Sequence, residues 1–187
     1  MTTKTASVPL AERMVFASAV ESMFIKSLGP KVTPAMRAEL KTLGINLDKL
    51  DPAYPLALWM KALIYVAGQV FPQKPLKESL TLLGEGLVEQ FADTLLGRPM
   101  MVVVKLIGPL RTLKRMEKNF RTANNYSESE LKELGPNDYE LWLNEIGDTH
   151  LVSLGILRRG LEFTGVKGIS VEVLSSDAQG TRYSVKL

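Results

Sequence analysis

There is no cysteine among the 187 residues and a single histidine, His150. The first absence removes disulfides, thiolate metal sites, iron–sulfur clusters and thiol nucleophiles. The second removes multi-histidine metal sites and counts against cofactor-dependent chemistry, so neither a metal nor a cofactor is expected. Also missing is any run of about 18 uncharged apolar residues, the length a membrane crossing needs. The longest apolar candidate, 62–71, suits a buried helix and ends at Pro72. The polar start of the chain, 1–8, lacks the apolar stretch of a signal peptide. Together these absences predict a cytoplasmic protein without membrane contact.

What is present is a globular composition, 45% hydrophobic and 23% charged, in a chain of one-domain length. Residues 1–8 read as a disordered tail and 9–187 as one domain. The net charge of +3 is too mild to imply nucleic acid by itself.

Ser18-Ala-Val-Glu21 has the form of a capping box, which predicts a helix from there to Leu28, stopped by Gly29-Pro30. Residues 14–17 fit either that helix's first turn or a short strand. Thr33-Pro34 offers an N-cap and an N1 proline for a helix through Leu43, with Gly44 where a left-handed residue is wanted. A turn at 51–55 opens a helix over 56–70, ended by Pro72 and Pro75. The next helix spans 76–96. Its Gly84 and Gly86 cost about 1 kcal/mol each against alanine and point to a close neighbouring backbone.

Residues 98–104 suit a helix or a buried strand, after which Leu106, Leu110, Leu113 and Phe120 recur at helical spacing with a kink at Pro109. Asn124-Asn125 breaks this run, and a polar, acidic stretch leads to a turn at 135–138. Residues 139–145 alternate as a strand does. A helix over 149–163 puts Leu151, Leu154, Leu157 and Leu161 on one face. Residues 169–174 and 181–186, joined by a loop with Asp177 and Gly180, form a terminal β-hairpin. Helices first and strands last indicate an α+β fold, an N-terminal helical layer packed on a late antiparallel sheet.

The order of these motifs, from Val15-Phe16 and Val20-Glu21 through Leu43-Gly44-Ile45, Tyr54-Pro55, Leu83-Gly84, Gly97-Arg98, Leu106-Ile-Gly-Pro109, Asn124-Asn125 and Gly135-Pro136 to the hairpin, resembles a myxobacterial paralogous family of unknown function. The resemblance spans nearly all of the chain after Val8 and implies no activity. More remotely, residues 149–187 are similar in architecture to 4-vinyl-reductase-like and haem nitric-oxide-binding-like domains. That similarity implies a sensory or assembly module that holds a small ligand, or dimerises, between a helical layer and a curved sheet. The haem branch uses an axial histidine where this chain has Leu106-Ile-Gly-Pro109, and a Tyr-x-Ser-x-Arg motif where it has Tyr139-Glu-Leu-Trp-Leu143. The zinc sites of the vinyl-reductase branch need cysteines. The resemblance therefore implies the architecture without haem or zinc.

Charge is the strongest local pattern. Residues 97–121 sum to +6 and residues 122–150 to −6. On one continuous helix Arg111, Lys114, Arg115 and Lys118 stand at i, i+3, i+4 and i+7, a basic face opposite Leu110, Leu113 and Phe120. Such a face docks an acidic protein or a phosphate-bearing ligand, or is simply a solvated surface partly paired with the acidic segment. A nucleic-acid partner is disfavoured by that acidic segment and by the lack of aromatics among the cations. Trp59, Leu63, Val66 and Phe71 are the candidate pocket residues, for which plain core is the competing reading.

No catalytic set is evident. His150 starts a helix with no assigned partner, and Asp148-Thr149 before it reads as a cap. Glu140 and Glu145 fall on opposite faces of a strand. Gly160-x4-Gly165-Val-Lys167 has its lysine one place late for a phosphate loop. The expected function is thus a non-enzymatic regulatory or scaffold module that binds another protein, with self-association through a sheet edge and the basic helix as one form of it. The rival is a sensor with a pocket for a small apolar or anionic ligand between helices and sheet.

Overall fold

The computed structural model describes residues 7–95 and 97–187. Residues 1–6 of the expected tail lie outside this range. Val8, assigned to the same tail, packs on the core, and its carbonyl accepts a hydrogen bond from Arg13 Nε at 3.3 Å.

The first half is helical apart from two short strands. β1 (Met14–Phe16) leads straight into α1 (Ala17–Val20), which widens into a π-helical run over Glu21–Ser27. The undecided stretch at 14–17 is therefore mostly strand. The expected capping box is corrected: the helix starts before Ser18, whose hydroxyl donates to Thr122 O at 3.3 Å. A cap is unnecessary because Ala17 N donates to Pro52 O at 2.9 Å, a loop carbonyl doing the work of a side chain. In α2 (Pro34–Leu43) the expected cap does form, Thr33 Oγ1 accepting from Met36 N at 3.2 Å, and Gly44 closes the helix at φ 112°. β2 (Ala53–Pro55) pairs antiparallel with β1, and α3 (Leu56–Val70) and α4 (Leu76–Asp93) follow.

The second half begins with α5 (Gly97–Leu113), so the open choice at 98–104 resolves to helix. It is broken at Gly108, whose φ of 74° sits just before Pro109. A short helix, α6 (Met116–Phe120), precedes β3 (Ser129–Gly135), β4 (Asp138–Leu143), α7 (Thr149–Glu162), β5 (Ser170–Ser176) and β6 (Thr181–Lys186). The four late strands form one antiparallel sheet in the order β3-β4-β6-β5. β3 is a correction, since 129–135 read as an acidic connection. It is an edge strand with Glu130, Lys132, Glu133 and Leu134 exposed, so no face carries the apolar alternation that marks a strand in sequence.

Two cores result. One gathers Val20, Phe24, Leu40, Tyr54, Leu63 and their neighbours from the helical half; the other gathers Leu113, Leu141, Leu157, Tyr183 and Val185 beneath the sheet. α7 belongs to both, giving Leu151 and Val152 to the first and Leu154, Leu157 and Leu161 to the second. It crosses α4 so closely that a Cβ on Gly84 would lie 2.0 Å from Val152 O, and one on Gly155 2.0 Å from Thr81 O. The expected close approach at Gly84 is real. At Gly86 a Cβ would meet only Ser27 Oγ, at 3.7 Å.

Candidate functional site

The four basic residues singled out by spacing, Arg111, Lys114, Arg115 and Lys118, are all exposed. They do not lie along one continuous helix. α5 stops at Leu113, Arg115 has φ −100° and ψ 0°, and the chain restarts as α6, so the face is corrected to two short runs meeting at a turn. Leu113 and Met116, on either side of the turn, both reach the sheet core.

The unusual feature is the first part of α5. From Arg98 to Ile107 no side chain is buried, although the run is Arg-Pro-Met-Met-Val-Val-Val-Lys-Leu-Ile. Val102 is 58% and Leu106 79% exposed, and with Pro99 they stand at i, i+3 and i+7 on one outward row. Arg98 and Lys105 flank that row. Between α5, α4 and α7 runs a groove of about 540 Å³, with Met101, Glu89 and Arg159 on its walls. Arg159 pairs with Glu89 at 2.9 Å and Glu162 at 2.6 Å.

A second feature lies inside, at the junction of the two cores. A cavity of about 80 Å³ is lined on the helical side by Met23, Trp59 and Leu63 and on the α7 side by Thr149, Val152, Ser153 and Ile156. Tyr126 and Glu145 complete its polar end. Of the four candidate pocket residues, Trp59 and Leu63 are brought to this cavity. Val66 is fully buried in the first core, and Phe71 packs half-buried against it, away from the cavity.

Glu145 was set aside as a strand carboxylate, yet it falls beyond β4 and is buried. Burial pushes its carboxyl above the ordinary value, opposed by hydrogen bonding to Thr149, the charge of Arg13 and hydrogen bonding to Tyr126. Thr149 Oγ1 lies 2.9 Å from Glu145 Oε2 and 2.7 Å from Ile146 O. One hydroxyl proton serves one of the two acceptors. Donated to Glu145, it favours the carboxylate and opposes the effect of burial. Glu145, Thr149 and Ser153 stand four apart, a polar row ahead of and within a leucine-rich helix, and that spacing was the available signal for this site. Glu140, by contrast, pairs with Arg182 at 2.7 Å on the sheet surface.

Residues 13–186 match the family described as "Protein of unknown function (DUF2378)". The chain belongs to that family. No curated protein matches it. Among solved structures this DUF2378 chain is similar to H-NOX proteins: a Tt H-NOX variant at 15% identity and TM-score 0.65, covering 91% of this chain and 94% of that one. The H-NOX domain from Shewanella oneidensis gives 14% and 0.61 with 91% and 95% covered, and the H-NOX protein from K. algicida 12% and 0.60 with 89% and 94% covered. At such identities the likeness establishes the fold.

Other similar structures concern haem in H-NOX proteins, which makes haem the group to test against these residues. A pocket for even a drug-sized ligand is about 300–1,000 Å³, and the cavity between the two cores is about 80 Å³. His150 does not line it; its Nδ1 contacts Gly147 O at the start of α7. Of the axial donor types that line the cavity, Met23 serves paired with a histidine, which the lining lacks, and the other is Tyr126. Burial and the Glu145 charge push its hydroxyl far up, so it stays a phenol. Neither the volume nor the lining of this cavity in the DUF2378 chain fits haem. Among the described residues no helix is long and apolar enough to cross a membrane.

Proposed function

We propose that this chain is a non-enzymatic, cytoplasmic regulatory or scaffold module that acts by binding another protein through α5 and the basic residues that follow it. The observation that carries this reading is the outward row Pro99, Val102 and Leu106, flanked by Arg98 and Lys105 on a helix segment with no buried side chain. A short isolated helix is marginal in water, and its stability normally comes from covering an apolar face. The partner surface that complements it is apolar at the centre and acidic at the rim. The sheet edges suit self-association less well, because β3 carries charges and β5 a bulge near Val173.

A photo-crosslinking amino acid at position 102 or 106, used in the native cell, tests the reading. A defined protein adduct from both positions is expected, lost when Arg111, Lys114, Arg115 and Lys118 are changed together to glutamate while circular dichroism stays unchanged. Absence of any adduct, with a monomer in light scattering, would overturn it. The cavity favours a second reading, a module that binds a small molecule, with the pocket among the helices rather than against the four-stranded sheet.

A further inference from the structure

The cavity at the junction of the cores has one polar and one apolar end, and its polar groups are unequally occupied. Glu145 and Thr149 are engaged with each other, with Tyr126 and with Ile146 O. Ser153, one turn further along α7, is 4% exposed, lines the cavity and has no hydrogen-bond partner among the described residues. A hydroxyl that meets the cavity without a protein partner is free to bond a guest there. Trp59, Leu63 and Ile156 supply the apolar wall. Leu87, Phe120 and Ile156 in this lining are half-buried.

Volume and charge narrow the guest. About 80 Å³ exceeds one water's share of the liquid, about 30 Å³, and falls short of the about 150 Å³ that holds benzene. A cation is disfavoured by Arg13, whose guanidinium lies 5.2 Å from the Tyr126 ring centroid, and an ion of either sign by the mostly apolar walls.

We infer that this cavity binds a small uncharged molecule with one polar end and a short apolar tail, an alcohol, ketone or amide of about four heavy atoms, Ser153 holding the polar end and Trp59 and Leu63 the tail. This rests on the second, small-molecule reading and is independent of the α5 surface.

The test is a titration of the full chain with 2-propanol, acetone and propanamide, alongside propylammonium and propionate, followed by methyl NMR of Leu63 and Ile156. Saturable shifts at these methyls are expected for the neutral probes alone. Ser153→Ala should weaken them about five-fold, and Ala19→Leu, which fills the opposite wall, should remove them with circular dichroism unchanged. Saturation by either ion overturns the uncharged class while leaving the small-molecule reading in place. No saturable shift from any probe, as for a cavity that holds only water, removes both. Unaltered affinity in Ser153→Ala removes Ser153 from the site.

Discussion

Glu145 concentrates the electrostatics of the molecule. Its neighbours are Arg13, Tyr126, Thr149 and, more distantly, Tyr183, whose hydroxyl is also pushed up by burial and by the Glu145 charge. Between the ordinary carboxyl value of 4.5 and the raised native value, the folded chain binds more protons than the unfolded chain. Stability contributed by Glu145 is therefore complete below that window and lost as pH rises through it. Glu145→Gln keeps the neutral shape without the titration. Urea unfolding at stepped pH should show the variant gaining on the native chain as pH climbs from about 4.5 toward neutrality. A difference constant with pH would mean that the carboxyl ionises alike in both states. None of this is visible in composition, because one glutamate among 20 acidic residues looks the same on the surface or in the core. Only its spacing to Thr149 and Ser153 hinted at a shared face.

At the scale of elements, α4 and α7 show where residue type alone is informative. A glycine inside a helix is costly, so Gly84 announced a contact before any partner was known. Its counterpart Gly155 sits in the middle of the leucine stripe, where the apolar spacing masks it. Alanine at either position drives a methyl onto a backbone carbonyl, which cannot swing aside as a side chain can. Gly84→Ala and Gly155→Ala are each expected to cost about 3 kcal/mol or more in denaturant unfolding, whereas Gly86→Ala, next to open space and a serine hydroxyl, should be neutral or slightly stabilising. Equal effects at all three positions would remove the close crossing. α5 teaches the converse: its first part fits helix or strand in sequence, and neither spacing says whether the apolar row is covered. β3 failed for a related reason, since an edge strand with charges on its exposed positions has no apolar alternation to read.

At the scale of the whole molecule, two cores share α7 and are tied further by polar side chains. Arg13, beside β1, donates from Nη1 to Asn144 O at 2.8 Å and from Nε to Val8 O, so one buried side chain joins the helical half to the end of β4. Asn125 adds to the tie, its Oδ1 accepting from Met14 N at 2.8 Å and its Nδ2 donating to Glu12 O at 3.0 Å. Arg13→Ala strands buried carbonyls and should cost about 1–3 kcal/mol. Hydrogen exchange should quicken first in β1 and in 124–127 while β4 and β6 keep their protection. Uniform loss of protection would mean that the two halves open as one unit. The cavity lies at the same seam, so a guest bound there is placed to stiffen the joint between the halves.

By itself the sequence determined the local structure and its chemical bounds. Proline, glycine and capping residues punctuate α2, α3, α4 and the hairpin through short-range sterics and hydrogen bonds, which act within a few residues of their cause. Missing cysteines and a lone histidine bound the metal chemistry for the same local reason. Tertiary structure alone decided that Glu145 is buried, that Trp59 and Leu63 face a cavity while Val66 and Phe71 do not, and that the row on α5 is left bare. Burial is a property of what other segments cover, and the segments that meet around the cavity, from Val15 to Ile156, are up to 141 residues apart in the chain, beyond the reach of any periodicity.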